Sequence, residues 1–422
     1  MYSKYFPLLS LSLALTSFAF ASDIYLAVRT DGNAGSGTAA DPFNASTTAQ
    51  YDALLHQYST NTTFHYQPGV YQTSGWHFQK AQTAGTNCVH LGAGIDQTII
   101  RLVTADPGGG ILFGVDYNVT CSGFELSGLT LDCNANGNPG FAQGSAAYSA
   151  VNVNGSNILI NNTKIIGFGT AIPGVECFPV FSCPNGVFAG QSFSNVVVQN
   201  SIFTAPATGN QDGLSACFLG ATQQVNLTGA KILNCSFVDI ASDFTYSHAM
   251  YAQTCQGNYV KGCQTGWYVE PSVPDLWAMT ISNNTFVDVP YVVFITFHPG
   301  GKLSSLTFAN NHVVLPDAPN IYSTGFSLNG NPTQGPLIGS LNISGNQYTG
   351  DNSTAQVHYY RALDLRFPVV SNEVASLVIQ NNQFSTSIPS GLEFQVTKSA
   401  VSSIQNTNNH YSNGALVPVS YQ

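Results

Sequence analysis

The sequence predicts an all-β protein whose short strands stack into one continuous parallel solenoid. Three observations predict it. A segment of the form apolar-x-apolar-x-x-Asn-x-aromatic recurs along the chain, the apolar period within each copy is two, and only 8% of residues are charged. An ordinary globular chain carries about 25%. Gly, Asn, Ser and Thr take the place of the missing charges, as a chain of many turns and amide or hydroxyl ladders requires. With 44% hydrophobic residues there is still ample surface to bury.

The elements follow in chain order. Residues 1–21 run from Lys4 through an apolar stretch, Leu8 to Phe20, to small residues at Ala19 and Ala21, which predicts a secretory leader cleaved after Ala21. The stretch is too short to span a bilayer, and no later segment is long enough. The expected product is extracytoplasmic, secreted or periplasmic, with a single domain over 22–422 and no membrane span. Residues 46–58, STTAQYDALLHQY, place Tyr51, Leu54, Leu55 and Tyr58 at helical spacing after a Ser/Thr cap, predicting a helix that closes the open N-terminal end of the solenoid.

The repeat begins at LTLDCNA (129–135) and returns in, among others, VVVQNSIF (196–203), MTISNNTF (279–286), LTFANNHV (306–313) and LVIQNNQF (377–384). Its equivalent column reads Asn134, Thr163, Ser201, Cys235, Cys263, Asn284, Asn311, Asn346, Asn382 and Asn409, about ten coils with loops of variable length. The column residue is expected at a tight turn, where Asn tolerates the left-handed conformation and its amide bonds to the Asn above and below. Cys235 and Cys263 then fall on adjacent coils, about 4.8 Å apart, where a disulfide is geometrically allowed. Nine cysteines, an odd number, leave at least one outside any intramolecular pairing.

These features, with the opening IYLAVRTDGNAGSGTAADPF (24–43) and PGVYQT (68–73), resemble the right-handed parallel β-helix proteins of the pectin-lyase-like superfamily. The resemblance covers essentially the whole mature chain. It implies a right-handed β-helix and leaves the reaction open, because that group includes polysaccharide lyases, glycoside hydrolases, epimerases, esterases and non-catalytic surface proteins. It also implies that one strand per coil lines a substrate groove with its outer face.

Copies of that strand read DGLSAC (212–217), HAMYAQ (248–253), TGWYVE (265–270), YVVFIT (291–296), TGFSLN (324–329), RALDLR (361–366) and SGLEFQ (390–395). Alternation sends Leu214, Met250, Trp267, Val293, Phe326, Leu363 and Leu392 inward. It sends Phe188, Ser215, Tyr251, Tyr268, Phe294, Ser327, Asp364 and Glu393 outward. A second outward column holds Cys217, Gln253, Glu270 and Arg366. In this register His248 lies at the height of Asp212 on the coil before. Asp212, His248, Tyr251, Tyr268, Glu270 and His298 fall on neighbouring coils, an aromatic strip flanked by titratable groups that suits sugar stacking with proton transfer. Tyr268, Phe294 and Phe188, with Gln253, His298 and Arg366, are the expected substrate-binding residues. The same aromatics serve equally as a structural ladder, and His248 could simply bond the next coil. Arg361, Asp364 and Arg366 form a second patch about 19 Å further on, expected as an exposed ion-pair cluster or a distal subsite.

A net charge of −10 with only 11 Lys and Arg makes nucleic acid an unlikely partner, and the histidines near the N-terminus lack zinc-site spacing. The polygalacturonase-type hydrolases that the chain resembles carry Asn-x-Asp-Gly, matched here by Asn210-Gln211-Asp212-Gly213. Their later elements are not matched, since Ser247-His248 and Thr265-Gly266-Trp267 stand in the next two places and no Arg-x-Lys follows. Only Asp212 carries over. Asp212 and Glu270, about 10 Å apart at strand spacing, could form an inverting hydrolase pair. A lyase acting on uronic acids would use His248 as base and Tyr251 as acid, with the substrate carboxylate neutralised by Ca²⁺ on Asp212, Asp243 or Glu270, or by Lys302. The expected function is action on an extracellular polysaccharide by a monomer, with β-elimination ahead of hydrolysis and non-catalytic glycan binding as a third reading.

Overall fold

The computed structural model describes residues 22–77, 85–103, 111–114, 120–134, 137, 149–168, 176–177, 179–182, 190–204, 213–220, 225–240, 246–269, 271, 278–314, 323–330, 335–350, 360–365, 371–385 and 393–421. The expected leader, residues 1–21, lies outside them. Strands join in parallel from coil to coil throughout, as in Met279↔Leu306↔Leu341↔Leu377↔Ile404, a column of inward residues in perfect register. Among the described residues 24 strands form one hydrogen-bonded sheet and 14 form another. The larger sheet wraps a corner, because the strand Ile158–Ile166 pairs with both Val196–Gln199 and Ile202–Thr204 of the following coil.

The helix forms at Thr48–Gln57, inside the expected 46–58, with Thr47 as N-cap in a reciprocal capping box with Gln50. It turns Tyr51 and Leu55 into the core. Asp52 anchors it to the following strand by accepting from Thr73 Oγ1 at 2.6 Å and from the Ser74 backbone N–H at 3.1 Å. Tyr51 and Tyr66 share a hydroxyl hydrogen bond of 3.0 Å, and Tyr66 bonds His90 Nδ1 at 2.8 Å. His90 is fully buried and lies flat on Phe64, ring centroids 4.5 Å apart.

The asparagine ladder exists, with a division of labour the sequence does not reveal. The residue in the left-handed conformation is the one before the ladder position: Asn200, Asn234, Asn283, Asn310, Asn381 and Asn408 all have φ between 52° and 56°. Gly257 and Gly345 hold the same place at φ 70° and 65°. The ladder residue that follows is buried. Asn284 Oδ1 accepts from both the backbone N–H and the amide of Asn258, and Asn284 Nδ2 donates back to Cys255 O and forward to Asn311 Oδ1, each at 2.9–3.0 Å. The pattern repeats through Asn346 and Asn382 to Asn409. Each amide is thereby satisfied inside an apolar core, where an unbonded one would be costly.

Two expected members of the column are replaced. Cys235 is followed on the next coil by Asn258, whose Oδ1 accepts from the Cys235 N–H at 2.8 Å, and not by Cys263. Cys263 belongs to a second corner, after Gly262, one residue beyond the pairing Val238↔Lys261 that aligns Gly262 with Asp239. Likewise Leu129, not Asn134, pairs with Thr163. Both corners place a left-handed residue before a buried one, so a Gly-Cys or Asn-Cys dipeptide fits either. The Cys235–Cys263 disulfide is therefore excluded, and both cysteines are buried without one. Burial pushes the thiols of Cys235 and Cys263 up to about 12.

Replacing Asn311 by Ala removes the acceptor of two Asn284 donors and leaves the Ile281 carbonyl without its partner; a loss of about 2–4 kcal/mol is expected in denaturant titration. Asn310→Gly should change stability by less than about 1 kcal/mol, because glycine already occupies that corner on two other coils. Burial holds the His90 imidazole down to about 3, whereas an unfolded histidine takes its proton near pH 6.5. Between these values the unfolded chain binds the extra proton, so this contribution is complete above about pH 6.5 and is lost as pH falls toward 3. Melting measured from pH 7 to 3 should show that decline, and His90→Gln should flatten it.

Candidate functional site

The groove strand of the sequence reading is the strand of the smaller sheet, and its register fixes which residues share a face. Trp267 pairs with Met250 and with Val293, which pairs with Phe326; all four are fully buried. The neighbouring outer column is Phe218↔Tyr251, Tyr268↔Phe294↔Ser327↔Asp364↔Gln395. Tyr268, Phe294, Ser327 and Asp364 thus occupy one column, as expected, and Tyr251 follows the pairing Met250↔Trp267 by one residue with its ring against Trp267.

The ends of that column differ from expectation. The strand Gly213–Leu219 enters earlier than assumed, so Cys217 pairs with Met250 and is buried in the core, and Phe218 takes the outer place expected of Ser215. Ser215 instead pairs with His248, and Gly213 with Tyr246, so His248 does not stand at the height of Asp212. At the other end Phe394 and Gln395 replace Leu392 and Glu393. Glu393 is fully buried and accepts from the Tyr411 hydroxyl in the core. These shifts arise where loops of unequal length bring a strand into the sheet, a feature no repeat spacing records.

A second departure from simple alternation concerns the start of each strand. The pairs Ala249/Met250, Gly266/Trp267, Val292/Val293 and Ala362/Leu363 are all buried, two consecutive residues in each coil. The first of the pair is Gly or Ala in three of the four, and at Gly266 space requires it: a Cβ there would meet the Phe286 ring at 2.7 Å. Residues three apart, rather than two, then share the outer face. Tyr291 and Phe294 make an edge contact with centroids 5.6 Å apart, and Arg361 donates to Asp364 at 3.0 Å. His248 holds the register position of Tyr291 and Arg361, through His248↔Thr265↔Tyr291↔Thr324↔Arg361, three residues before Tyr251.

Tyr251 is only 4% exposed, its ring tilted between Phe218 at 4.7 Å and Trp267 at 5.6 Å. Tyr268 is also buried and stacks on the part-exposed Phe294 at 5.5 Å. Gln253 is committed to the preceding coil, donating to Leu227 O at 2.6 Å and accepting from Ala230 N–H at 3.3 Å. His298 is exposed at the end of its strand, its backbone N–H donating to Pro271 O. Phe188, Asp212, Asp243, Glu270 and Arg366 lie outside the described residues. Arg361 and Asp364, expected as an exposed cluster, retain 11% and 17% side-chain exposure. The sequence reading missed Phe218, although Ser215-Ala-Cys-Phe218 and His248-Ala-Met-Tyr251 share a polar-Ala-x-aromatic spacing that was there to be aligned.

No protein-family model and no curated protein matches the chain. Among solved structures, the surface adhesin PfbA of Streptococcus pneumoniae is similar at TM-score 0.51 and 13% identity, over 89% of this chain and 88% of that one. The chain has the right-handed parallel β-helix fold. This β-helix is also similar to endo-xylogalacturonan hydrolase from Aspergillus tubingensis, at TM-score 0.46 and 13% identity over 91% and 99% of the two chains. The A-module of mannuronan C-5 epimerase AlgE4 from Azotobacter vinelandii gives TM-score 0.43 and 13% identity over 94% and 100%. At such identity the likeness concerns the fold. No described helix is long and apolar enough to cross a membrane.

Because Tyr251 is clamped between two rings, Tyr251→Ala should destabilise the β-helix by about 3–5 kcal/mol, read as a lower denaturation midpoint.

Proposed function

We propose that this β-helix acts outside the cytoplasm on a polysaccharide bound along the outer face of the smaller sheet. The observation that carries the reading is the run of four aromatics on successive rungs of that face, Phe218↔Tyr251 and Tyr268↔Phe294, the two pairs meeting one residue beyond the pairing Met250↔Trp267. The rungs repeat every ~4.8 Å, so part-exposed Phe218 and Phe294, three rungs or ~14 Å apart, offer apolar ring surface to the faces of two sugars about three units apart in an extended chain. The β-helix neighbours named above include an adhesin, a hydrolase and an epimerase, two of them named for polysaccharides.

Within this reading β-elimination comes first, with His248 as the base that removes the proton next to a uronate carboxylate and Tyr251 as the acid toward the leaving oxygen. Calcium on Asp212, Asp243 or Glu270 would neutralise that carboxylate, since carboxylate oxygens suit the ion. Hydrolysis by Asp212 and Glu270 is the second reading, resting on the Asn-Gln-Asp-Gly match.

The deciding experiment incubates the mature protein with acidic and neutral polysaccharides, with calcium and with chelator, while following unsaturated-uronate absorbance and reducing ends. Rising absorbance, lost on His248→Ala, is the expected result; reducing ends alone would transfer the chemistry to the carboxylates. Tyr251→Phe keeps the ring stack, so a fall in turnover at an unchanged melting temperature would mark its hydroxyl as the acid. Silence in both channels with saturable binding would leave a glycan-binding protein.

A further inference from the structure

The outer face of the smaller sheet changes character two rungs beyond its last aromatic. Tyr291 and Phe294 lead through Thr324 and Ser327 to Arg361 and Asp364, in the same two columns and with the same three-residue offset. The ion pair therefore replaces the aromatic pair in kind, at two strand spacings or about 9.6 Å, the length of about two pyranose units in an extended chain. Both side chains are more than four-fifths covered, yet each keeps an edge at the surface. Arg361 spends one Nη1–H on Asp364 Oδ2, and its buried Nε has no acceptor among the described residues, which leaves the remaining Nη donors for a ligand.

We propose that Arg361 and Asp364 form a saccharide subsite that reads the vicinal hydroxyls of a neutral sugar, two units along from the sugar stacked on Phe294. The inference rests on the polysaccharide reading and specifies it: the polymer carries neutral residues and is not a pure polyuronate. A guanidinium still has donors after one bond, and a carboxylate can accept several. Fixed side by side, they offer a strong donor and a strong acceptor at the separation of neighbouring hydroxyls, each of which both donates and accepts. A sugar carboxylate at the same place meets attraction from Arg361 and repulsion from Asp364 at nearly equal distance, so the two Coulomb terms largely cancel. Holding the pair nearly buried keeps both groups in one geometry, which is how a subsite discriminates by hydrogen bonding.

The test measures binding of neutral hexasaccharides (xylo-, manno- and galacto-) and of hexagalacturonate and hexamannuronate, by calorimetry at low salt. The proteins are the native chain, Arg361→Gln, Asp364→Asn and Phe294→Ala, each checked for unchanged melting; Asp364→Asn, equal in volume, covers the case in which Arg361→Gln fails to fold. At least one neutral hexamer should bind better than the acidic ones. Either polar substitution should weaken it about tenfold, the loss expected for a hydrogen bond to a charged group. Asp364→Asn should at the same time strengthen the acidic hexamers. Tightest binding of an acidic hexamer, abolished by Arg361→Gln, would overturn the proposal in favour of a carboxylate subsite. Affinities indifferent to both polar substitutions but sensitive to Phe294→Ala would make the pair purely structural while keeping the polysaccharide reading. Absence of binding to every saccharide would sink both.

Discussion

Everything in this β-helix depends on one constraint: a buried amide must find its partners on the coils above and below. Six asparagines, from Asn258 to Asn409, meet it by handing hydrogen bonds from rung to rung through the core. Since each amide accepts from the coil before and donates to the coil after, a shift of one coil against its neighbour would strand several polar groups in apolar surroundings. The ladder thus fixes the register of the corner. The flat inward columns of Leu, Ile and Phe follow from that register, and so do the outer columns where a ligand can meet the protein.

The upper part of the solenoid solves the same problem with smaller groups. Thr163 N–H donates to Ser201 Oγ at 3.2 Å, and Cys235 stands where its backbone N–H can reach the first ladder amide. Near the N-terminus the core turns aromatic, with Tyr51, Tyr66 and His90 hydrogen-bonded in a chain beneath the helix. That network replaces a repeating ladder with a single polar cluster, whose imidazole must stay neutral to remain buried.

Low charge has consequences for function as well as fold. Long ionic side chains are scarce, so the outer surface is built from short hydroxyls, amides and aromatic rings held on a rigid backbone. Such groups lose little side-chain entropy when a ligand binds. The outer face of the smaller sheet carries this furthest: its aromatics are half sunk, with Tyr251 and Tyr268 supporting the more exposed Phe218 and Phe294. Under the proposed function, packing and sugar binding would share the same rings there, which is why aromatics in the sequence could be read either way.

The sequence by itself determined the solenoid, the helix at 48–57, the ladder chemistry and the inward residues Met250, Trp267, Val293, Phe326 and Leu363. Each of these is local, set by a period of two, a capping box or the turn preference of Asn. Only the tertiary structure decided that Asn258 and not Cys263 follows Cys235, that Phe218 and not Ser215 opens the aromatic column, and that Tyr251 is nearly covered. The physical reason is common to all three. Two corners of each coil use the same left-handed-then-buried dipeptide, and loops of unequal length separate the coils. The partner of a given residue is then chosen by stacking across more than 20 residues of chain, a quantity that no local pattern encodes.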